Sequence, residues 1–339
     1  MNILVTGGAG YIGSHAAKLL QNQGHLPVVL DDLSTGHQEF VRYGPFVHGD
    51  VRDETLIRET LGQFKIDAVM HFAAKISVEE STRLPEQYFS TNVGGAISLL
   101  SAMKRAEVKR LVFSSTAAVY GEPRAELIGE DHPTHPVNPY GITKLHAEQA
   151  IRAIAPSFGL KAAFLRYFNV VGADPDGEVW EWHDPETHVL PNLLRAMGDG
   201  SPFHLYGDDY ATPDGTAIRD YVNVLDLTAV HLDALARLEC TGEEPFLISN
   251  VGLGTGISVK QLLSLAETVF GKRVDARVSP RRSGDPPRLV ADNAFLKTWS
   301  EAWSSDFRPM KQTLRELKAI SGNRRETDPS PPEFANRCP

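Results

Sequence analysis

Tyr140 and Lys144 lie four residues apart in Asn138-Pro139-Tyr140-Gly141-Ile142-Thr143-Lys144. Positions four apart share one face of a helix. An ammonium beside a phenol favours the phenolate and lowers a tyrosine pKa from its usual value of about 10. Such a phenolate can serve as a general base. Taken alone, the pair is common in helices. It gains meaning from a glycine-rich turn far upstream, Thr6-Gly7-Gly8-Ala9-Gly10-Tyr11-Ile12-Gly13. The spacing Gly8-x-Gly10-x-x-Gly13 lets backbone approach a pyrophosphate seated at a helix N-terminus. A dinucleotide turn and an activated tyrosine on one chain predict redox chemistry.

Other side chains extend both features. Asp31 and Asp32 end the second predicted strand, where a carboxylate accepts ribose hydroxyls and repels a 2′-phosphate. They predict NAD rather than NADP. Asp50 and Val51 follow the third strand, where an adenine edge could lie. Ser114, Ser115 and Thr116 end an apolar strand, so their hydroxyls face the crevice where parallel sheets bind ligands.

A scaffold must bring these residues together. Apolar runs at residues 2–6, 26–30, 46–47, 68–72, 110–114 and 162–167 predict strands. Helical patterns at 12–23, 91–105 and 140–155 alternate with them. Such alternation implies an α/β fold, a Rossmann-type doubly wound parallel sheet covered on both faces. From Asn169 the texture changes. Residues 174–191 are rich in Asp, Pro, Gly, Trp and His and read as irregular. Later strands are expected at 218–224 and 246–251, and a helix at 259–270. The expected cofactor domain is 1–168 with a return near 219–252. A smaller C-terminal α/β substrate domain takes 169–218 and 253–322. The polar, proline-rich 323–339 reads as a disordered tail.

Composition narrows the function classes. The chain has 339 residues, 42% of them hydrophobic, enough for one large or two modest domains. Its net charge is -9 and it has no long basic run, so neither nucleic acid nor an anionic membrane is an expected partner. Cys240 and Cys338 lack metal-ligand spacing. They predict no metal site, no disulfide and a reducing compartment. The N-terminus enters an apolar strand without a leader pattern, and no apolar run reaches membrane-spanning length. A cytoplasmic protein is expected.

Several motifs occur in a characteristic order. The glycine turn is followed by His71-Phe72-Ala73-Ala74, then Phe113-Ser114-Ser115-Thr116 with Val119-Tyr120-Gly121, then Tyr140-x-x-x-Lys144. In this the chain resembles the extended short-chain dehydrogenase/reductases, and more closely the UDP-glucose (UDP-galactose) 4-epimerases. Leu165-Arg166-Tyr167-Phe168-Asn169, Arg219-Asp220-Tyr221 and Arg281-Arg282-x-Gly284-Asp285 carry the likeness through most of the second half.

The resemblance implies NAD held as a prosthetic group. Gly7, Gly10, Tyr11, Ile12, Gly13, Phe72, Ala73, Ala74, Asn92, Ser114 and Phe168 would line its site with Asp31, Asp32, Asp50 and Val51. Tyr140 would take the sugar 4-hydroxyl proton. Lys144 would lower the Tyr140 pKa and hold the nicotinamide ribose, and Thr116 would guide the reacting oxygen. A UDP-sugar is the implied substrate. The forked donors of Arg219 and Arg282 suit its phosphates. Asp285 would take ribose hydroxyls, and Asn169 and His188 would donate to phosphate. His204, Leu205 and Tyr206 would hold the uracil, with Tyr206 stacked on it. Tyr221 would join this cluster, and Leu289 would stand beside the sugar, where some relatives carry a bulky aromatic.

Ala117 and Ala118 replace the Asp and Glu of related dehydratases, and methyl groups cannot do that acid–base work. His71 and His146 read as structural. Glu79 stands where many relatives have glycine, which leaves the local loop conformation open. Helices 91–105 and 140–155 are the expected homodimer interface. The implied activity is interconversion of UDP-glucose and UDP-galactose through a 4-keto sugar. The alternatives are another UDP-sugar (UDP-N-acetylglucosamine, UDP-xylose/arabinose or UDP-glucuronate) or a non-catalytic NAD-binding sensor.

Overall fold

The structure, a computed structural model, describes residues 1–240, 244–282, 284–304 and 307–323; the predicted tail from 324 onward lies outside them. The strands in chain order are β1 (Asn2–Thr6), β2 (Leu26–Asp31), β3 (Phe46–His48), β4 (Ala68–His71), β5 (Arg110–Thr116), β6 (Lys161–Tyr167), β7 (Asn169–Val171), β8 (Phe203–Tyr206), β9 (Ile218–Asn223), β10 (Phe246–Val251), β11 (Gly256–Ser258), β12 (Ala276–Ser279) and β13 (Arg288–Leu289). Seven of them form one parallel sheet in the order β10-β6-β5-β4-β1-β2-β3. Alternate residues feed two cores. Leu4, Val69, Leu111 and Phe164 pack on one face, and Ile3, Met70, Val112 and Leu165 on the other. Burial on both faces explains why these strands read as continuous apolar runs.

Strand order reverses beside β1, so a crevice opens outside the carboxyl ends there. Register places Thr6 opposite His71, and His71 opposite Phe113. Gly7, Phe72 and Ser114 therefore lie level along the carboxyl edge, where β1 and β4 end and β5 runs on to Thr116. Phe168 links β6 to β7 and so carries the chain from the large sheet into a small one.

That small sheet joins β11, β9 and β13, with β7 also paired to β9; β8 and β12 pair separately. The return into the large sheet is therefore β10, with the helix Val224–Cys240 in its core. Strand β9, expected within that return, belongs to the small sheet instead. Another difference lies in the predicted 91–105 helix. A π-helical turn, Phe89–Gly94, precedes the α-helix Gly95–Arg105.

Residues 172–188 lack regular structure, so the irregular stretch expected to 191 ends where the helix Val189–Asp199 begins, and they are anchored. Lys18 holds Asp174, Asp176 and Glu178 at 2.8, 2.7 and 2.7 Å. Trp182 stacks on His37 with centroids 3.8 Å apart, and Trp180 meets Phe40 edge-on at 4.8 Å. The question at Glu79 is resolved too. The helix Val78–Arg83 starts there, with Ser77 accepting from the Glu80 N–H at 3.1 Å. Glu79 is exposed in the first turn, where a carboxylate complements the helix dipole. Among the described residues, no helix is long and apolar enough to cross a membrane.

Candidate active site

The cofactor turn is built by close backbone approach. Gly7 has φ +71, and a Cβ there would lie 2.5 Å from the Ala73 nitrogen. A Cβ on Gly13 would lie 2.2 Å from the Gly7 carbonyl oxygen. Only glycine fits either place. The helix Tyr11–Asn22 opens directly behind, with Gly10 as its N-cap and no side-chain cap to occupy the free N–H groups. Phe72 and Ala73 both donate to the Thr6 carbonyl, at 2.9 and 3.1 Å, so the turn and the loop after β4 form one floor. Ala74 continues that loop, half-buried, and Ile12 is half-buried on the helix.

Asp31 is buried at the end of β2. Its carboxylate accepts from the Ala9 N–H at 3.0 Å and the Leu33 N–H at 2.9 Å. Burial raises its pKa, and those two N–H groups oppose the rise. Asp32 is exposed and accepts from Ser34. Asp50 is gripped by Arg52, which holds its pKa below the usual range. Val51 packs where a Cβ on Gly95 would lie 2.6 Å away. A cradle closed to every side chain, a helix N-terminus and a carboxylate at the end of β2 together fit a dinucleotide.

The reacting centre sits further along the same edge. Asn138 caps the helix Pro139–Ile154, accepting from the Gly141 N–H at 2.9 Å, and Pro139 occupies its first turn. The cap fixes Tyr140 in that turn, with its hydroxyl near enough to the Thr116 side chain to feel it. Thr116 is held in turn by the Ala118 N–H at 3.1 Å. Lys144, one turn on, is buried and donates to the Ser114 carbonyl at 2.8 Å. The Tyr167 hydroxyl donates to Ser114 Oγ.

The electrostatics differ from expectation. Burial pushes the Tyr140 pKa up, and the Thr116 side chain opposes it only in part. Burial also lowers Lys144 to about 7, with Glu148 opposing. Lys144 gives one of its donors to a backbone carbonyl, and the predicted lowering of Tyr140 is not found here. His71 is structural, as expected. It bonds Thr6 Oγ1 at 2.7 Å, and burial drives it to about 3. His146 is exposed beside Phe89.

Two expected contacts are structural instead. Asn92 is buried, its oxygen accepting from the Lys75 N–H at 2.8 Å. Its amide donates to the Lys75 carbonyl and to Thr143 Oγ1, at 3.1 and 3.0 Å. It ties the loop after β4 to the Tyr140 helix, with both amide protons already used. Tyr221 is 1% exposed within the apolar cluster of the smaller lobe. Its hydroxyl finds no hydrogen-bond partner among the described residues.

The remaining candidates gather around the small sheets. Arg219 is buried and paired with Asp285. Arg282 reaches the Thr187 carbonyl at 3.3 Å, and its guanidinium lies 4.1 Å over the Tyr206 ring. One face of Tyr206 is therefore taken by a cation. His204 is exposed and bonds Ser279 at 3.0 Å, while Leu205 is buried. Asn169 pairs opposite Tyr221 in β7, and Leu289 opposite Arg219 in β13. Leu289 packs, with Phe168, against the cluster of Ala117, Val119 and Tyr120 just past Thr116. That packing brings the sugar-side candidate next to the reacting centre. His188 faces Glu181 and Glu186, both at 3.1 Å.

Spacing gave no sign of the charges behind the site. Asp220 is fully buried and accepts from the Leu253, Gly254 and Ala291 N–H groups at 2.7, 2.9 and 3.1 Å. Burial pushes it up to about 6. Glu148, Arg166, Ser115 and Tyr120 form a second buried network.

Known proteins resemble the whole of this arrangement. The sequence profile of the NAD dependent epimerase/dehydratase family matches residues 3–252. The UDP-glucose 4-epimerase of Rhizobium meliloti is 46% identical over 293 residues, 86% of this chain and 89% of that protein. That of Corynebacterium glutamicum is 45% identical over 323 residues, 95% of this chain and 96% of that one. The crystal structure of UDP-glucose 4-epimerase from Brucella ovis in complex with NAD superposes with TM-score 0.87 at 43% identity, covering 93% and 96% of the two chains. The chain belongs to the NAD dependent epimerase/dehydratase family.

Proposed function

We propose that this protein interconverts UDP-glucose and UDP-galactose by inverting C4. The observation that carries the reading is the convergence of Thr116, Tyr140 and Lys144 at the carboxyl edge of the sheet, with Lys144 one turn past Tyr140 and anchored to the Ser114 carbonyl at 2.8 Å. NAD in this site would accept the C4 hydride and return it to the opposite face of the 4-keto sugar. The protein's own groups do the rest. Tyr140 takes the proton of the 4-hydroxyl, Thr116 orients that oxygen, and Lys144 holds the nicotinamide ribose. Ala117 and Ala118 offer no second acid or base, which favours epimerisation over dehydration.

Gly7, Gly10, Tyr11, Ile12, Gly13, Asp31, Asp32, Phe72, Ala73, Ala74, Ser114 and Phe168 hold the cofactor in this reading, with Asp50 and Val51 at the adenine end. Arg219, Arg282, Asn169 and His188 hold the pyrophosphate, and Asp285 the ribose. His204, Leu205 and Tyr206 hold the uracil, and Leu289 borders the sugar. Residues 1–168 with the β10 return serve the cofactor, and the smaller lobe serves the UDP-sugar. Phe89 and Ile97 are 39% and 42% exposed beside the two helices expected to pair, which supports a homodimer. The exposed free Cys240 supports a reducing, cytoplasmic setting.

The test is turnover of the purified full chain on a panel of UDP-sugars without added NAD. Conversion of UDP-glucose at the highest kcat/KM supports the proposal. A higher value on another UDP-sugar reassigns the substrate. Bound NAD with no turnover on any of them makes the protein a sensor.

A further inference from the structure

The segment between the two lobes contains a pattern of which the epimerase reading uses only His188, Glu181-x-His183-x-x-Glu186-x-His188. Its four side chains converge, with one ligating atom from each lying within 4.8 Å of all the others. His183 Nδ1 stands 3.7 Å from Glu181 Oε1 and 3.5 Å from Glu186 Oε2. His188 Nδ1 stands 3.1 Å from Glu181 Oε1 and 3.1 Å from Glu186 Oε1.

As a hydrogen-bonded network this cluster is poorly satisfied. The His183 separations exceed ordinary N–H···O lengths. His183 Nδ1 is buried with no hydrogen-bond partner among the described residues. His188 Nδ1 has one proton at most to share between two carboxylates. Glu181 and Glu186 are 8% and 13% exposed, and among the described residues neither is ion-paired to an arginine or lysine. Two such carboxylates need compensating charge.

As a ligand set the same cluster is close to what a metal ion needs. Bonds of about 2.0–2.2 Å in a tetrahedron place neighbouring ligand atoms about 3.4 Å apart. The four nitrogen–oxygen separations straddle that value, with Glu186 turning Oε2 to His183 and Oε1 to His188. Two neutral imidazoles and two carboxylates carry a charge that one divalent cation cancels. Imidazole donors favour a transition metal over Mg²⁺ or Ca²⁺, which take oxygen.

We propose that Glu181, His183, Glu186 and His188 form a structural metal site for Zn²⁺ or a related divalent transition ion. Four protein ligands close the coordination, so the ion has no open position for chemistry. It pins the segment in place. His183 meets the ring of Tyr11 edge-on at 6.4 Å, on the cofactor turn. His188 is the N-cap of the helix Val189–Asp199, in the smaller lobe. Ligation through Nδ1 leaves His188 Nε2 available to a phosphate. The site therefore fixes the cofactor turn relative to the nucleotide-sugar lobe.

The test uses the full chain stripped with a chelator and offered Zn²⁺, Co²⁺, Mg²⁺ or Ca²⁺ separately. The readouts are metal content after desalting, visible absorption of the Co²⁺ form, and Tm. Stoichiometric retention of Zn²⁺ and Co²⁺ is expected, with the intense Co²⁺ bands of tetrahedral coordination. Tm should rise with these ions and not with Mg²⁺ or Ca²⁺. His183→Ala and the near-isosteric Glu181→Gln should lose retention and the Tm response while keeping bound NAD. If His183→Ala does not fold, Glu181→Gln and the wild-type Co²⁺ spectrum decide. Wild-type protein that retains no more Zn²⁺ or Co²⁺ than the variants overturns the proposal, as does a weak octahedral spectrum.

Discussion

Arg166 grips both oxygens of Glu148, donating through Nε at 3.0 Å and through Nη2 at 2.6 Å. Both side chains are almost fully buried. Glu148 stands four residues after Lys144 on the same helix, and Ser115 donates to it at 2.5 Å from β5. The pair therefore fixes the Tyr140 helix against the strands that carry Thr116 and Tyr167. Removing one partner of such a pair leaves a buried charge uncompensated. Glu148→Ala is expected to destabilise the protein by about 3–5 kcal/mol. Urea unfolding checks this. A loss well under 1 kcal/mol on the scale of exposed pairs would show that Arg166 finds water.

Tyr140→Phe removes one oxygen and little volume. NAD content and UDP affinity should stay near wild type, while turnover falls at least ~10²-fold. The comparison needs cofactor content and kcat on the same preparation. Near-normal turnover would reject Tyr140 as the base.

Gly13→Ala tests the cofactor cradle. The new Cβ would lie 2.2 Å from the Gly7 oxygen, so the turn must open. The expected result is loss of bound NAD, read after denaturing extraction. Gly24→Ala is no matched control, since Gly24 has φ +78; Gly62→Ala is, with open space around its Cβ position. Equal NAD content in the two variants would contradict the close-approach argument.

Leu289→Tyr adds an aromatic ring beside Phe168 and Ala117. We expect the wild type to epimerise UDP-N-acetylglucosamine detectably. The variant should lose that activity at least ~10-fold more than activity on UDP-glucose, since a clash exceeds the usual discrimination of about 1–3 kcal/mol for one methylene. An equal effect on both sugars would remove Leu289 from the gate.

Acid sensitivity follows from three buried histidines. Burial lowers His15 to about 4, His71 to about 3 and His231 to about 4. Their folded pKa values lie below the unfolded 6.5, so between these limits the unfolded chain binds more protons. Stability therefore falls as pH drops below about 6.5. Asp220, raised to about 6, works oppositely over part of that window. The net effect is that of about two groups, at most about 3 kcal/mol per pH unit. Unfolding midpoints in urea between neutral pH and about pH 5 should decline steadily. A flat profile would mean that the histidines are charged in the folded state.

Local pattern alone determined much of this protein. The strands at residues 2–6 and 246–251 and the helix at 259–270 are found at their predicted bounds, because apolar periodicity and glycine stops are local signals. The glycine turn was equally legible, since its spacing encodes a backbone approach that no other residue permits. Tertiary structure decided what spacing cannot encode. It placed β9 in the small sheet, because a six-residue strand reads the same wherever it pairs. It turned Asn92 into a clamp between Lys75 and Thr143, and buried Tyr221 in a core. It reversed the predicted shift of Tyr140, because burial outweighed the opposing effect of Thr116 and Lys144 is anchored to the Ser114 carbonyl. Asp220, Glu148 and Arg166 were invisible as a network, since burial and partners are long-range properties. The Glu181–His188 cluster read as irregular for the same reason: only folding brings its four side chains to one point.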